Sequence, residues 1–489
     1  MRKLITWVTA GLLLVSFFKV FTWLEFVPLW HFPDEQAHFG HVAYLVEEGT
    51  LPMGRSNDLT QEIAISEQRL GTYRNKYGNN DFTYRPDYRL EYSDNYQGIY
   101  EAEIKSLPLS TRKEFKDPES AYYPHFFYRV SGLIYKFFYN QDIFIRVFAL
   151  RIFWFFTHLL MVWLAWLIGK EVFPKAPQAA LSVAVLTSFQ PMLTFVAAGV
   201  TSDNLHNLLF TAVIYFCLKI NRKITWPDLF GLAVVMYLGY INKPQFLIAF
   251  GIVIPVLFRR WKKILGLIGL AAIWLYLSGK LPYFEIKADL ARPDYTLWQH
   301  LIYTANHTLR EVLPWYWGVF RWLSLTLPRW VNQVMMRILL VAGIGLAVKL
   351  FRRRFEPGLG IIVWSALIYF LALFFWDFQQ VRNSRFPFGI QGRYYFPVIV
   401  PHMVLLVMGL RQITNYLLLI TDYWFIALNW IALYWVAVSY YDAGNFRSFI
   451  IQASQYKPDF AKGAWLVLTL GLYLLLSLIF AFKLIKYEK

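Results

Sequence analysis

The segment His31-Phe32-Pro33-Asp34-Glu35-Gln36-Ala37-His38-Phe39-Gly40-His41 gathers two carboxylates and three imidazoles directly after an apolar run from Leu4 to Leu24. Pro33 suits the first turn of a helix. Asp34 and Glu35 then sit at its positive end, and His38 follows Asp34 at i+4 and Glu35 at i+3. A carboxylate held there can take a proton from a hydroxyl as a general base. The expected assignment is Asp34 as that base, with Glu35 and His38 orienting an acceptor or tuning the carboxylate. Two other readings stand beside it. The acids could merely cap the helix and complement its dipole, or Glu35, His38 and His41 could hold a metal. The spacing is not a closed zinc motif and no HExxH is present, so no metal is assigned, although a divalent cation such as Mg2+ or Mn2+ stays open.

A second group consists of cations in or beside apolar runs: Arg146, Arg151, Lys243, Arg382, Arg385 and Arg393. Charges at membrane depth are costly, so they pair or bind a ligand. Arg146 and Arg151 could snorkel to the interface. Lys243 and Arg393, with Arg385 as a third candidate, fall on the external side against the positive-inside trend. They could receive a lipid phosphate, for which Arg offers a fork of donors and Lys a point charge. Ser202-Asp203-Asn204 adds another external acid: Ser202 or Asp203 could cap a helix, or Asp203 could meet an Arg or a sugar hydroxyl.

The elements that must position these residues follow from composition. Hydrophobic residues make up 57% of the chain, aromatic residues 19% and charged residues only 16%, which requires a bilayer as solvent. Apolar runs of spanning length recur at about residues 4–24, 143–168, 178–196, 204–220, 227–241, 245–260, 263–279, 331–350, 359–376, 394–410, 416–438 and 464–483. The expected fold is an all-α polytopic membrane protein of about 12 transmembrane helices. The net charge of +17 is not a nucleic-acid footprint. Its clusters, among them Arg2-Lys3, Lys219 with Arg222-Lys223, Arg352-Arg353-Arg354 and Lys483 with Lys486, all fall on one side, the cytoplasm by the positive-inside rule. Both termini are then cytoplasmic.

The segment Glu25 to Pro124 carries 17 acidic against 10 basic residues and belongs outside. The expected organisation is a first span to residue 24, a large external loop over 25–142 with juxtamembrane helices, spans over 143–279, a second external segment over 280–330 with interfacial helices, and further spans to residue 489. Tyr122 to Tyr139 and Tyr295 to Trp330 are aromatic enough to lie at the headgroups. Cys217 is the only cysteine, so no intrachain disulfide is possible. The apolar N-terminal run has no small-residue cleavage site before Glu25 and reads as an uncleaved span.

Five strings in order, Pro33-Asp34-Glu35-Gln36-Ala37-His38, Tyr122-Tyr123-Pro124, Ser202-Asp203-Asn204-Leu205, Lys243-Pro244 and Gln391-Gly392-Arg393-Tyr394, resemble the glycosyltransferase C superfamily. Within it, the chain is most similar to a bacterial family of multi-pass proteins. Trp317-Gly318-Val319-Phe320-Arg321-Trp322 adds to the likeness, which runs over most of the chain. The resemblance implies a GT-C-like bundle, a catalytic acid in the first external loop at Asp34, and a polyprenyl-phosphate or polyprenyl-diphosphate sugar as donor. It places substrate contacts at Asp203, Tyr123, Gln391 and Tyr394. Tyr122-Tyr123-Pro124-His125 departs from the expected Pro-Pro-Leu-Tyr type string.

The residues lead to the same chemistry independently. Nucleotide sugars are not expected outside the cell membrane, so an external transferase needs a donor that the membrane delivers. Cations would meet the charge growing on a leaving phosphate while a carboxylate takes the acceptor proton, and attack opposite the phosphate would invert the anomeric centre. The expected partners are the bilayer of a bacterial cytoplasmic membrane, the lipid-linked sugar, and a cell-envelope glycan, lipid or protein acceptor, with no nucleic acid. A flippase of a lipid-linked saccharide would want similar spans and cations but no long acidic loop, and the inverted repeats of many transporters are not visible. A polysaccharide polymerase or ligase would differ only in its acceptor.

Overall fold

Long apolar runs become helices in this chain because a bilayer offers no partner to an unpaired backbone N–H or C=O. The computed structural model describes residues 2–52, 57–75, 78–89, 99–116, 126–258, 296–352, 356–384, 390–441 and 443–488. Among them, seven helices are long and apolar enough to cross a membrane: Val8–Phe26, Ile143–Val172, Arg329–Phe351, Leu359–Arg382, Gly392–Ile413, Asn415–Tyr440 and Ala464–Leu484. The pair Pro177–Phe189 and Pro191–Ala198, bent by 57°, makes an eighth if it is one span. The chain is thus an all-α polytopic membrane protein.

In chain order the first elements are α1 (Arg2–Phe26), α2 (Glu35–Glu48), α3 (Gln61–Arg69), α4 (Ile99–Lys105), α5 (Phe126–Phe137), α6 (Ile143–Val172), α7 (Pro177–Phe189), α8 (Pro191–Ala198), α9 (Ser202–Arg222) and α10 (Trp226–Asn242). The count of about twelve expected from the 17–25-residue rule is higher than these criteria return, for local reasons. The first turns of α9 carry Asp203, His206 and Asn207, and α10 has only 17 residues. The next span is a 3-10 turn, Pro244–Ala249, running into a short helix, Phe250–Phe258. The span expected at 263–279 lies outside the described residues.

The break between α7 and α8 follows from Gln190-Pro191. Pro191 cannot donate to the preceding turn, and Gln190 caps the new helix by accepting from Leu193 N–H. The carbonyls this frees are taken by other helices: Lys19 of α1 donates to the Ser188 carbonyl, and Asn429 donates to that of Phe189 at 3.3 Å. Ser188 Oγ also meets Lys19 at 2.9 Å and Ser16 at 2.6 Å, so a fully buried polar node ties α1 to the kink.

Beside the long helices, α3 begins at Thr60, whose hydroxyl accepts from Ile63 N–H. This layer is bolted to the bundle by ion pairs: Glu62 with Arg146 and Arg112, and Glu101 with Lys462. Arg146 and Arg151 do not snorkel as the sequence allowed. Both are completely buried, Arg146 on Glu62 and Tyr135, Arg151 on Glu35. α5 buries Phe127, Tyr128, Ser131 and Tyr135 and leaves Leu133 and Phe137 exposed. The aromatic stretch after residue 295 is helical only to Trp317. It then turns into a two-stranded hairpin, Val319–Phe320 against Leu325–Thr326, through Arg321, Trp322 and Leu323, all with left-handed backbone at φ 54°, 54° and 64°.

Candidate active site

Asp34 stands just before the first residue of α2 in a left-handed conformation, φ 55° and ψ 22°, and its side chain makes no capping bond. The turn aims the carboxylate away from the helix instead. Oδ2 accepts from Arg393 Nη2 at 2.8 Å and Oδ1 from Arg74 Nη2 at 3.1 Å. Non-glycine residues in that conformation are strained and concentrate at functional positions. Burial alone would raise the pKa of Asp34, but the charges of Arg393 and Arg74 outweigh it and hold the carboxyl well below the usual range. The Asp34 side chain is 34% exposed while that of Arg393 is 4% exposed, so the carboxylate faces outward from a buried cation.

Glu35, one residue on, has the opposite environment. It is fully buried and bidentate on Arg151, with Oε1 to Nε at 2.7 Å and Oε2 to Nη2 at 2.6 Å. The backbone N–H groups of Val200 and Trp30 donate to the same two oxygens at 3.2 Å each. Arg151 spends its other donors on the carbonyls of Leu24, Val27 and Pro28. The pair therefore closes the C-terminal end of α1, whose last carbonyls have no helical partners, and fixes where the chain turns toward Asp34. Every lone-pair site of Glu35 is taken, which leaves it no capacity to touch an acceptor.

His38 lies one turn beyond Asp34. Its Nδ1 meets Tyr128 hydroxyl at 2.6 Å and its Nε2 meets Thr201 Oγ1 at 3.3 Å. Burial, opposed by Asp34 and reinforced by Lys243, pushes His38 down to about 4, so near neutral pH it is an uncharged bridge between α2, α5 and the start of α9. Thr201, rather than Ser202 or Asp203, caps α9 by accepting from Asp203 N–H. That frees the Asp203 carboxylate, which pairs with Lys243. Among the described residues no group of three His, Cys, Asp or Glu could hold a metal; the Glu35 carboxylate is already committed to Arg151.

Arg393 is delivered by Gly392. A Cβ at that position would overlap the backbone of Trp315 and Tyr316, so only glycine lets this strand of chain pass. Nε and Nη1 of Arg393 find no hydrogen-bond partner among the described residues. Gln391 accepts from Tyr394 N–H through its backbone carbonyl at 3.0 Å, and both side chains are half-buried beside Arg393, with the Tyr394 ring 5.3 Å from its guanidinium. Behind this corner lies an apolar cavity of 340 Å3, lined by Tyr316, Trp317, Phe370, Tyr395, His402 and Met403 among others.

The structure thus brings together Asp34, His38, Asp203, Lys243 and Arg393 and sets Glu35 behind them. Tyr123 and Arg385 lie outside the described residues. Arg74 is the site residue that sequence reading missed. Besides holding Asp34, it faces the Gln36 amide, which accepts from it at 2.6 and 2.7 Å once turned oxygen-first, and it packs 4.8 Å from the Trp322 ring. Trp322 in turn donates to the Trp30 carbonyl at 3.2 Å, and Arg321 donates to the carbonyls of Pro86 and Tyr88. The familiar Trp317–Trp322 string is a brace over the site, and its aromatic-basic pattern was the available signal.

The profile of a family described as "Predicted membrane protein (DUF2142)" matches residues 17–401. No curated protein matches the sequence. Among solved structures, the chain is similar to the crystal structure of ArnT from Cupriavidus metallidurans in the apo state, with 15% identity over 95% of this chain and 75% of that one and a TM-score of 0.39. It is also similar to the same protein bound to undecaprenyl phosphate, with 14% identity, 98% and 77% coverage, and a TM-score of 0.42.

Proposed function

This chain belongs to the DUF2142 family of predicted membrane proteins, and we propose that it is a membrane glycosyltransferase. It takes a sugar from a polyprenyl-phosphate or polyprenyl-diphosphate donor at the external face of the membrane and passes it to a cell-envelope glycan, lipid or protein. The observation that carries this reading is the meeting of Asp34 with Arg393, 359 residues apart in sequence, in a corner where N–H groups of Arg393 have no partner among the described residues. A carboxylate that can accept a proton and a cation that can accept a phosphate are the two charges an inverting transfer needs.

In this mechanism the acceptor hydroxyl approaches from the exposed side of Asp34 and gives it a proton as oxygen attacks the anomeric carbon. The phosphate departs with the electron pair of the breaking bond, toward Arg393, with Lys243 behind it and Arg385 as a further candidate. Asp203 holds Lys243 in place, while Gln391 and Tyr394, beside Arg393, are the residues offered to the sugar. His38 and Glu35 are positioning residues: one joins α2 to α9, the other locks the exit of α1. The apolar cavity beyond Tyr395 suits the first isoprene units of the donor. The active site faces the exterior and both termini face the cytoplasm.

The deciding experiment measures transfer from a polyprenyl-phosphate sugar by the purified protein in lipid nanodiscs. Asp34→Asn preserves shape and removes basicity, so it should lower the rate by about two to four orders of magnitude while the protein still inserts and binds undecaprenyl phosphate. Normal turnover by Asp34→Asn would remove the general base from this mechanism.

A further inference from the structure

Arg393 has more hydrogen-bonding capacity than its neighbours use. A guanidinium carries five N–H groups. Nη2 reaches Asp34, while Nε and Nη1 meet no partner among the described residues, although the side chain is 4% exposed. Buried donors of a cation are costly to leave unpaired, so this corner suits an oxyanion. Asp34 is held from two sides, by Arg393 and by Arg74. Across the site the cations Arg74, Lys243 and Arg393 face the anions Asp34 and Asp203, with His38 bridged between Tyr128 and Thr201, which leaves charge for an incoming phosphate to balance.

Resting on the donor-phosphate reading above, we propose that Arg393 couples the two halves of the reaction: a phosphate that takes its open N–H groups draws the guanidinium away from Asp34, so that Asp34 becomes a free base only when the donor is in place. Arg74 keeps the carboxylate positioned while Arg393 turns to the phosphate. In the transfer that follows, a bond forms between acceptor oxygen and anomeric carbon, and the bond from that carbon to the phosphate oxygen breaks. Its electron pair goes to the phosphate at Arg393, and the acceptor proton goes to Asp34. Without donor, the carboxylate is engaged at both oxygens and no acceptor is activated idly.

The coupling predicts a sign. If Asp34 and phosphate compete for one guanidinium, removing the Asp34 charge must strengthen phosphate binding; if Asp34 only orients Arg393, removing it must weaken binding. The test titrates undecaprenyl phosphate, with undecaprenol as the uncharged control, into the full chain in nanodiscs of zwitterionic lipid. Asp34→Asn is expected to bind undecaprenyl phosphate at least about fivefold tighter, as coupled sites typically do, and Arg393→Gln at least about tenfold weaker. Undecaprenol should bind all forms alike. Asp34→Ser removes the same charge without an amide and is expected to move the same way, which keeps the test standing if the asparagine variant does not fold. Unchanged or weaker binding by both Asp34 variants, with Arg393→Gln still weak, overturns the coupling and leaves the donor site intact. Binding that ignores the phosphate or Arg393 overturns the donor reading itself, and the coupling with it.

Discussion

Glu35→Gln should unfold this protein more easily than Asp34→Asn does, although the two acids are adjacent. The Glu35 carboxylate accepts four N–H groups, two on each oxygen: Arg151 Nε and Val200 on one, Arg151 Nη2 and Trp30 on the other. A glutamine amide keeps one acceptor. Whichever way it is placed, its NH2 confronts one guanidinium N–H and one backbone N–H, losing two buried bonds at about 1–3 kcal/mol each. It also leaves the Arg151 charge buried without a counter-charge, and breaking a buried pair from one side typically costs about 3–5 kcal/mol in all. Asp34 is partly exposed, and its asparagine can still accept from one of the two guanidiniums, so its stability cost should stay below about 1.5 kcal/mol. Thermal unfolding in detergent, followed by the loss of the monodisperse gel-filtration peak, separates the cases. Glu35→Gln should lose several degrees, with activity falling in proportion to folded protein, whereas Asp34→Asn keeps its melting temperature and loses turnover. A Glu35→Gln protein as stable as the wild type but inactive would refute the structural role and move Glu35 into the chemistry.

Other expectations follow from the same geometry. Arg393→Lys retains charge but not the fork, so it should recover only part of the undecaprenyl phosphate affinity lost in Arg393→Gln; full recovery in a titration would show that a point charge suffices. Gly392→Ala forces a Cβ into the backbone of Trp315 and Tyr316 and should cost about 1–3 kcal/mol as overpacking does, read as a lower melting temperature together with weaker lipid-phosphate binding. His38 is depressed to about 4 in the fold against about 6.5 in an unfolded chain. Between those values the unfolded state binds the extra proton, so stability present at neutral pH is lost as pH falls from 6.5 toward 4, up to about 3 kcal/mol. His38→Gln should flatten the melting temperature across that window, and an unchanged slope would assign the loss elsewhere. In a Cys217→Ala background, a cysteine at the exposed Asn79 should react with an impermeant maleimide from outside intact cells; labelling only after lysis would invert the orientation.

Asp34, Lys243, Asp203 and Arg393 are legible in the sequence because charge at a membrane border is expensive and each stands beside an apolar run. Their grouping follows from the topology, which puts all four at one end. Arg74 is not legible: it lies in a loop with many charged residues, and its role exists only because the turn at Asp34 is left-handed. The split between Asp34 and Glu35 is equally hidden, since adjacent acids differ here by the face they present, and the partner of Glu35 is 116 residues away. Arg146 and Arg151 misled because a long cationic side chain near a helix end can reach water. These two are covered instead by a layer of shorter helices whose acids, Glu35 and Glu62, point inward. The hairpin after Trp317 reads as an interfacial helix from its aromatic content, and three consecutive left-handed residues overrule that pattern.

The Lys19 node carries a consequence for how the molecule is made. An ammonium near the middle of a helix raises the cost of lateral release into lipid by roughly 2.5–3.5 kcal/mol on translocon scales, and the group that relieves it, the Ser188 carbonyl, is 169 residues downstream. At a synthesis rate of about 5–20 residues per second, that partner emerges roughly ten to thirty seconds after Lys19. The partner must also arrive already broken at Pro191, since an unbroken helix would keep its carbonyl for itself. The expected consequence is delayed lateral release of the first segment until the third hydrophobic segment is made.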